Sequence, residues 1–357
     1  MILTHLELRN FRSYSELQLD FAEGLNLILG PNAVGKSNLA EAIHYLSLAR
    51  SWRSQDDRLL IKDGCESALI RANVSEGGLT RQIEIEIARG HKRIAINGKN
   101  VRRISELSKL VNVIVFAPSD VGLFVNSPGE RRNFLDVALS KQSLDYFSLI
   151  SRYNRLLLER NAALKRSNVD LKVVEVLTQQ MIEVAEPLVK LRHMYVNELN
   201  RVLPDLIHEL RDPASQASIV YHPFVKDDGA FAKTAQQAFK EALESDLLHR
   251  STSIGPHRED FQFRLNGKNV ADYGSQGENR LAVLSLKLAP YFLIEDADKK
   301  PICVLDDATS ELDPAHQKAL VNFAKEKLHQ VFITATTLEI EGASIIDVSA
   351  NKAIRRK

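Results

Sequence analysis

The amino-acid sequence predicts an α/β protein whose head is split along the chain by an inserted, mainly helical lobe. Three observations predict it. A buried-strand pattern near residue 30 runs through a glycine-rich loop into an amphipathic helix. An apolar strand pattern ending in two aspartates comes only at residue 306. Between them, residues 121–250 are dominated by helical periodicity, so the head is expected over residues 1–120 and 251–357.

Taken in order, "THLELRNF" and "SELQLDF" alternate as half-exposed strands do, and "LNLILG" is apolar enough for a buried one. From Ser37 the pattern turns helical, with Leu39, Ile43 and Leu46 on one face. Strands return at "QIEIEIA" and "RIAINGKNV", where Asn97-Gly98 suits a type I′ hairpin, and Asn266-Gly267 suggests another. "SPGERRNFLD" predicts a helix start with Ser127 as N-cap, Pro128 at the first position and Glu130 closing a capping box. Leu177, Met181, Val184, Leu188 and Leu191 mark a long amphipathic stretch, which Pro187 and Pro204 are expected to interrupt. Strand signals resume near Ile219 and Phe261.

Composition narrows the function classes. At 357 residues, 44% hydrophobic and 26% charged, the chain reads as an ordinary globular protein. Its net charge is +1, so binding to a polyanion must come from a local patch. No stretch approaches the ~20 apolar residues of a membrane span. The start "MILTHLELRNF" lacks the basic and apolar regions of a secretory signal, and a cytoplasmic location is expected. Cys65 and Cys303 offer neither a disulfide framework nor zinc spacing.

The chemistry begins with "LNLILGPNAVGKSNL", which contains Gly30-x-x-x-x-Gly35-Lys36-Ser37 between strand and helix. Glycines let successive backbone N–H groups of a loop through Pro31, Asn32, Ala33 and Val34 turn toward phosphate oxygens. The helix N-terminus adds its positive end, Lys36 reaches the β- and γ-phosphates, and the Ser37 hydroxyl can ligate Mg²⁺. ATP and Mg²⁺ are the cofactors this implies. "KKPICVLDDATSELD" supplies the acids: Asp306 at the strand end to hold the metal, and Asp307 to orient or deprotonate an attacking water. Lys36, Asp306 and Asp307 are the candidate catalytic residues.

"YGSQGENR" precedes a further amphipathic helix, upstream of the two acids. The order of phosphate loop, Ser-Gln-Gly loop and acidic strand end is similar to that of the ATP-binding-cassette ATPases. The resemblance implies a signature loop, Ser275, Gln276, Gly277 and Glu278, meeting the γ-phosphate of ATP held by a second subunit. Ser310 and Asp313 of "SELD" match the loop that crosses between the two sites.

Across essentially its whole length the chain resembles the RecF family of bacterial recombination mediators, relatives of the Rad50 and SMC heads. The resemblance is carried by "LELRNFRSYSELQLDFAEGLNLILGPNAVGKSNLAEAIHYLSLARSWRS", "FAPSDVGLFVNSPGERRNFLD", "GPHRED", "YGSQGENRLAVLSLKLA" and "VLDDATSELD". It implies a cassette head with a short helical lobe, ATP-dependent homodimerisation and binding at single-strand gaps in DNA. It also implies cooperation with RecR and RecO in loading RecA, with no membrane partner. Arg12 matches the region where related heads place an arginine near the nucleotide phosphates.

Several residues depart from the pattern. Glu278 stands where most relatives have Gln, and Pro290 is expected to end or kink its helix. "APSD" has no Gln, leaving Asp120 to reach a metal only through water. The switch His of transporter ATPases is missing after "QVFIT", with Thr334, Thr336 and Thr337 nearby. Asp307 is one methylene shorter than the usual Glu, so slow turnover is expected. These absences disfavour a transporter subunit, and the short helical region disfavours an SMC-like structural protein. DNA phosphates are expected to meet Arg53 after the phosphate-loop helix and Arg131, Arg132, Arg155 and Arg160 on the helical lobe.

Overall fold

The computed structural model describes residues 1–101, 106–107, 110–226, 229–310, 312–338 and 340–356. The chain divides into two compact units: residues 1–121, 209–213 and 284–357, and residues 122–208 and 214–283.

The first unit is built on two sheets. β1 (Ile2–Phe11), β2 (Tyr14–Asp20), β4 (Ser67–Glu76), β5 (Leu79–Ala88), β6 (His91–Ile96) and β7 (Lys99–Asn100) form an antiparallel sheet in the order β2-β1-β4-β5-β6-β7. The Asn97-Gly98 turn has φ of 49° and 76°, the two positive values a type I′ hairpin needs.

β3 (Gly24–Leu29), β8 (Val113–Phe116), β12 (Ile302–Leu305), β13 (Gln330–Ala335), β14 (Ser344–Ser349) and β15 (Lys352–Arg355) form the second sheet, ordered β15-β14-β3-β13-β12-β8. All neighbours except β14 and β15 are parallel. Parallel strands buried on both faces read as continuous apolar runs, as "ICVL" does, with all four residues buried. The Lys36–Leu48 helix follows β3, and Leu39, Ile43 and Leu46 join the core shared with β1, β4 and β5. The order matters for the site: β13 lies between the phosphate-loop strand and the strand ending in the aspartates, so three C-terminal strand ends open side by side.

The second unit holds the helices Pro128–Gln142, Leu144–Leu164, nearly all of Leu171–Leu210, and Phe231–His249. They accompany a small sheet of β11 (Lys268–Asn269), β10 (Asp260–Leu265) and β9 (Ala217–His222). Residues 251–283, expected in the head, fall in this unit. The antiparallel β9–β10 ladder and the Glu259–Arg192 ion pair at 2.6 Å tie them there.

Two local expectations are corrected. Leu171–Leu210 runs through both Pro187 and Pro204 as one helix. Each proline costs a helix interior about 3 kcal/mol. Its apolar stripe, Met181, Val184, Leu188, Leu199, Leu203 and Ile207, is fully buried, and packing of that kind supplies most helix stability in proteins. At Pro128 the helix begins as expected, but the Ser127 side chain makes no capping hydrogen bond, and the Glu130 carboxylate accepts from Asn126 Nδ2 at 3.1 Å. Among the described residues no helix is long and apolar enough to cross a membrane.

Candidate nucleotide site

The phosphate loop is shaped by backbone that side chains would obstruct. A Cβ on Gly30 would lie 2.2 Å from the Val348 carbonyl oxygen, and one on Gly35, at φ 110°, would lie 3.0 Å from the Tyr14 hydroxyl. Tyr14 donates to the Gly35 carbonyl at 3.0 Å and fixes the loop's exit into its helix. No acidic residue occupies the first turn of that helix, leaving its N–H groups and positive dipole end for an anion.

Lys36 Nζ donates to the Gly30 and Pro31 carbonyls, each at 2.7 Å, so the ammonium curls over the loop. Partial burial lowers its pKa, while Asp307 and Asp306 pull it up. Ser37 Oγ donates to Asp306 Oδ1 at 3.0 Å, joining two chain segments that are remote in sequence. Asp306 is 2% exposed; desolvation raises its pKa and the neighbouring Asp307 adds to this, against hydrogen bonds from Thr334 and Ser37. Asp307 sits at φ 52°, and its Oδ2 accepts from Ser310 Oγ at 2.8 Å. Lys36, Ser37, Arg53, Asp307 and Thr334 line one cleft of about 380 Å³.

These residues fit a nucleoside triphosphate with Mg²⁺. The loop offers backbone donors and a lysine. The hydroxyl of Ser37 and the carboxylate of Asp306 are the hard oxygen donors that Mg²⁺ takes alongside phosphate oxygens and water. Among the described residues no group of three His, Cys, Asp or Glu forms a metal cage. A phosphate-borne Mg²⁺ needs none.

Two arginines have partners other than those expected. Arg12 is committed to the helix: its Nε and Nη2 fork the buried Glu41 carboxylate at 2.8 and 2.7 Å, and Nη1 donates to the Leu59 carbonyl. Arg53, expected on DNA, lines the cleft instead, with Nη1 donating to Asn38 Oδ1 at 2.8 Å. Asp120 is also occupied, accepting from the Ala117 N–H and pairing with Lys287 at 2.7 Å.

The signature segment lies in the second unit. Ser275 and Glu278 form a reciprocal capping box at the start of the Gln276–Phe292 helix. The Ser275 N–H donates to Glu278 Oε2 at 2.9 Å, and the Glu278 N–H donates to Ser275 Oγ at 3.2 Å. Glu278 thus turns back on its own loop. Asn279 Nδ2 braces the same loop at the Gly274 and Ser275 carbonyls. Gln276 is exposed and Gly277 has open space around it. Pro290 is accommodated inside the helix, which ends two residues later. Asp313 caps the Pro314–Lys327 helix, accepting from the Ala315 and His316 N–H groups. Glu311 of "SELD" lies outside the described residues.

Two of the helical-lobe arginines correct the sequence expectation. Arg131 is buried, forking Asp260 at 2.7 and 2.9 Å. Arg160 has no exposure and pairs with Asp246 at 2.7 Å. A guanidinium held this way is not offered to a DNA phosphate. Arg132 is half-buried and donates to the Glu259 carbonyl, and Arg155 is exposed beside Glu159. Sequence reasoning named Thr334 only as a residue near a missing histidine. It also missed Tyr14, which braces the loop at the Gly35 carbonyl, and Asn38, whose side chain links Ser13 to Arg53.

Comparison with known proteins identifies the family. The family described as RecF/RecN/SMC N terminal domain matches residues 2–351. The DNA replication and repair protein RecF of Clostridium tetani is 34% identical over 346 residues, covering 95% of this chain and 94% of that protein. RecF of Clostridium novyi is 36% identical over 343 residues, with the same coverage. A solved structure of the recombination mediator protein RecF with ATP, from the RecFOR pathway, superposes with TM-score 0.88 at 30% identity, over 99% of this chain and 97% of that one. An Smc head from Pyrococcus furiosus, at TM-score 0.60 and 17% identity, shares the fold.

Proposed function

The chain belongs to the RecF/RecN/SMC N-terminal-domain family, among the RecF proteins, and we propose that it is an ATP-operated DNA-binding protein of recombinational repair and replication restart. The observation that carries the reading is the convergence of Lys36, Ser37 and Asp307 on one cleft, with the buried Asp306 hydrogen-bonded to Ser37. Lys36 and the loop N–H groups bind and orient the phosphates. Ser37 and Asp306 hold Mg²⁺, which when bound neutralises charge developing on the β- and γ-oxygens. Asp307 orients the attacking water and accepts its proton.

In this reading two copies close around two ATP molecules. Each supplies Ser275, Gln276, Gly277 and Glu278 to the other's γ-phosphate, and Ser310 and Asp313 lie along the crossing. The capping box supports it: Ser275 Oγ accepts from within its own loop, so its proton remains free to donate to an anion. The closed dimer holds gapped or junction DNA, cooperates with RecR and through it with RecO and RecA, and reopens on slow, DNA-stimulated hydrolysis in the cytoplasm.

Sedimentation with and without ATP, for the wild type and for Ser275→Arg, tests the proposal. Dimerisation on ATP addition, lost in a variant that still binds nucleotide, is the expected result. An ATP-insensitive monomer overturns it.

A further inference from the structure

Strand β13 carries one hydroxyl into the centre of the site. Thr334 is 1% exposed and follows the buried Val331, Phe332 and Ile333. A buried hydroxyl is costly unless its donor and acceptor are both used. Here both are used, and both go to acids. Thr334 Oγ1 donates to Asp306 Oδ1 at 2.8 Å and accepts from the Asp307 N–H at 2.8 Å. One side-chain oxygen therefore spans the carboxylate assigned to the metal and the backbone of the carboxylate assigned to the water.

The second contact bears on an unusual backbone. Asp307 adopts φ 52°, a left-handed conformation that is uncommon for residues other than glycine. The Thr334 hydroxyl holds its amide, and Ser310 Oγ holds its carboxylate. Strand pairing fixes the position of that hydroxyl: β13 is hydrogen-bonded on one side to β12 and on the other to β3. Thr334 is thus located by the sheet, whereas the acids lie at or just past a strand end, where the backbone is freer.

We propose that Thr334 is a positioning residue for hydrolysis, its hydroxyl setting the relative placement of Asp306 and Asp307 in place of a side chain reaching the phosphate directly. The inference rests on the ATPase reading for its kinetic consequence. Its structural half does not, because it concerns the ligand-free protein.

The test compares Thr334→Val, which keeps the shape and removes the hydroxyl, with Thr334→Ser, which keeps the hydroxyl. In nucleotide-free protein, amide exchange at Asp307 should speed up at least tenfold in Thr334→Val and stay near wild type in Thr334→Ser. With ATP and Mg²⁺, kcat should fall roughly 10- to 100-fold in Thr334→Val, the worth of a hydrogen bond to a charged group, with KM and ATP affinity in EDTA little changed. Thr334→Ser should recover most of kcat. Unchanged Asp307 exchange in Thr334→Val, or equal kcat losses in the two variants, overturns the proposal. If Thr334→Val does not fold, Thr334→Ala replaces it under the same criteria. A wild type without ATPase activity removes the functional reading, while the amide-exchange arm still decides whether Thr334 holds Asp307.

Discussion

Two sets of charges, the cleft of the first unit and the buried arginines of the second, are used in opposite ways. In the first, Lys36 and Asp307 line an open cleft and are held by hydroxyls and backbone carbonyls, partners that give way easily. In the second, Arg131, Arg160 and Arg192 are buried against Asp260, Asp246, Glu259 and Asp136, at 2.6–2.7 Å in their closest contacts. The Arg192 guanidinium also takes Tyr146 Oη and the Pro256 carbonyl. A charge with loose partners is available to a ligand. A desolvated guanidinium paired with a buried carboxylate is architecture, and removing it leaves that carboxylate without its counter-charge.

The sharpest test of that contrast is Arg192→Ala. It strands Glu259, whose side chain has no exposure, and should destabilise the second unit by about 3–5 kcal/mol. Urea unfolding reads this out, with Lys36→Ala as the comparison that loses ATP binding and keeps its midpoint. An Arg192→Ala midpoint equal to wild type would erase the distinction between the units. The same logic separates two arginines of one helix: Arg160→Glu should unfold the lobe, whereas Arg155→Glu should leave it folded and weaken DNA binding at low salt.

Acid provides the next test. Burial holds the His257 pKa down to about 4, with Nδ1 against the Tyr153 hydroxyl and Nε2 against the Thr252 carbonyl. Because the folded pKa is lower than the unfolded one, the unfolded chain takes up the proton first. This contribution to stability is complete above pH 6.5 and is lost between pH 6.5 and 4, by up to about 3 kcal/mol. His257→Gln should flatten the stability profile in that window; a profile as steep as wild type would assign the acid sensitivity elsewhere.

A smaller effect is expected at the signature loop. Glu278→Ala should cost about 1 kcal/mol by opening the capping box, and Glu278→Gln should restore most of it. The smallest concerns Asp306. Its raised pKa means the fold penalises its charge, so its stabilising contribution is present at low pH and lost as pH rises through the folded value. Asp306→Asn should therefore stabilise nucleotide-free protein at neutral pH, on the order of 0.5–1 kcal/mol, while abolishing hydrolysis. A drop in melting temperature would contradict that sign.

Much of the site was legible because its chemistry depends on short spacings. Gly30, Gly35, Lys36 and Ser37 occur at the positions a phosphate-binding turn needs, and Asp306-Asp307 closes an apolar strand. The turns at Asn97 and Asn266 were legible for the same reason, both residues taking the positive φ expected of them. The capping box was assigned to Ser127 and Glu130 but formed at Ser275 and Glu278, where the same spacing also occurs. Spacing alone cannot choose between two such pairs. Asn126 engages Glu130 at the first, whereas Glu278 reaches back to the Ser275 N–H at the second.

The sequence by itself determined the fold class, the phosphate loop, the acidic strand end and the order of the parts, because each rests on local periodicity or contacts within a few residues. Only the tertiary structure decided which arginines are free, which unit residues 251–283 join, and that Thr334 links two acids from a neighbouring strand. A basic side chain reads the same in sequence whether it meets solvent or a buried carboxylate more than a hundred residues away, as Arg131 meets Asp260. Burial and pairing are properties of the packed chain, and they decide what a charge can do.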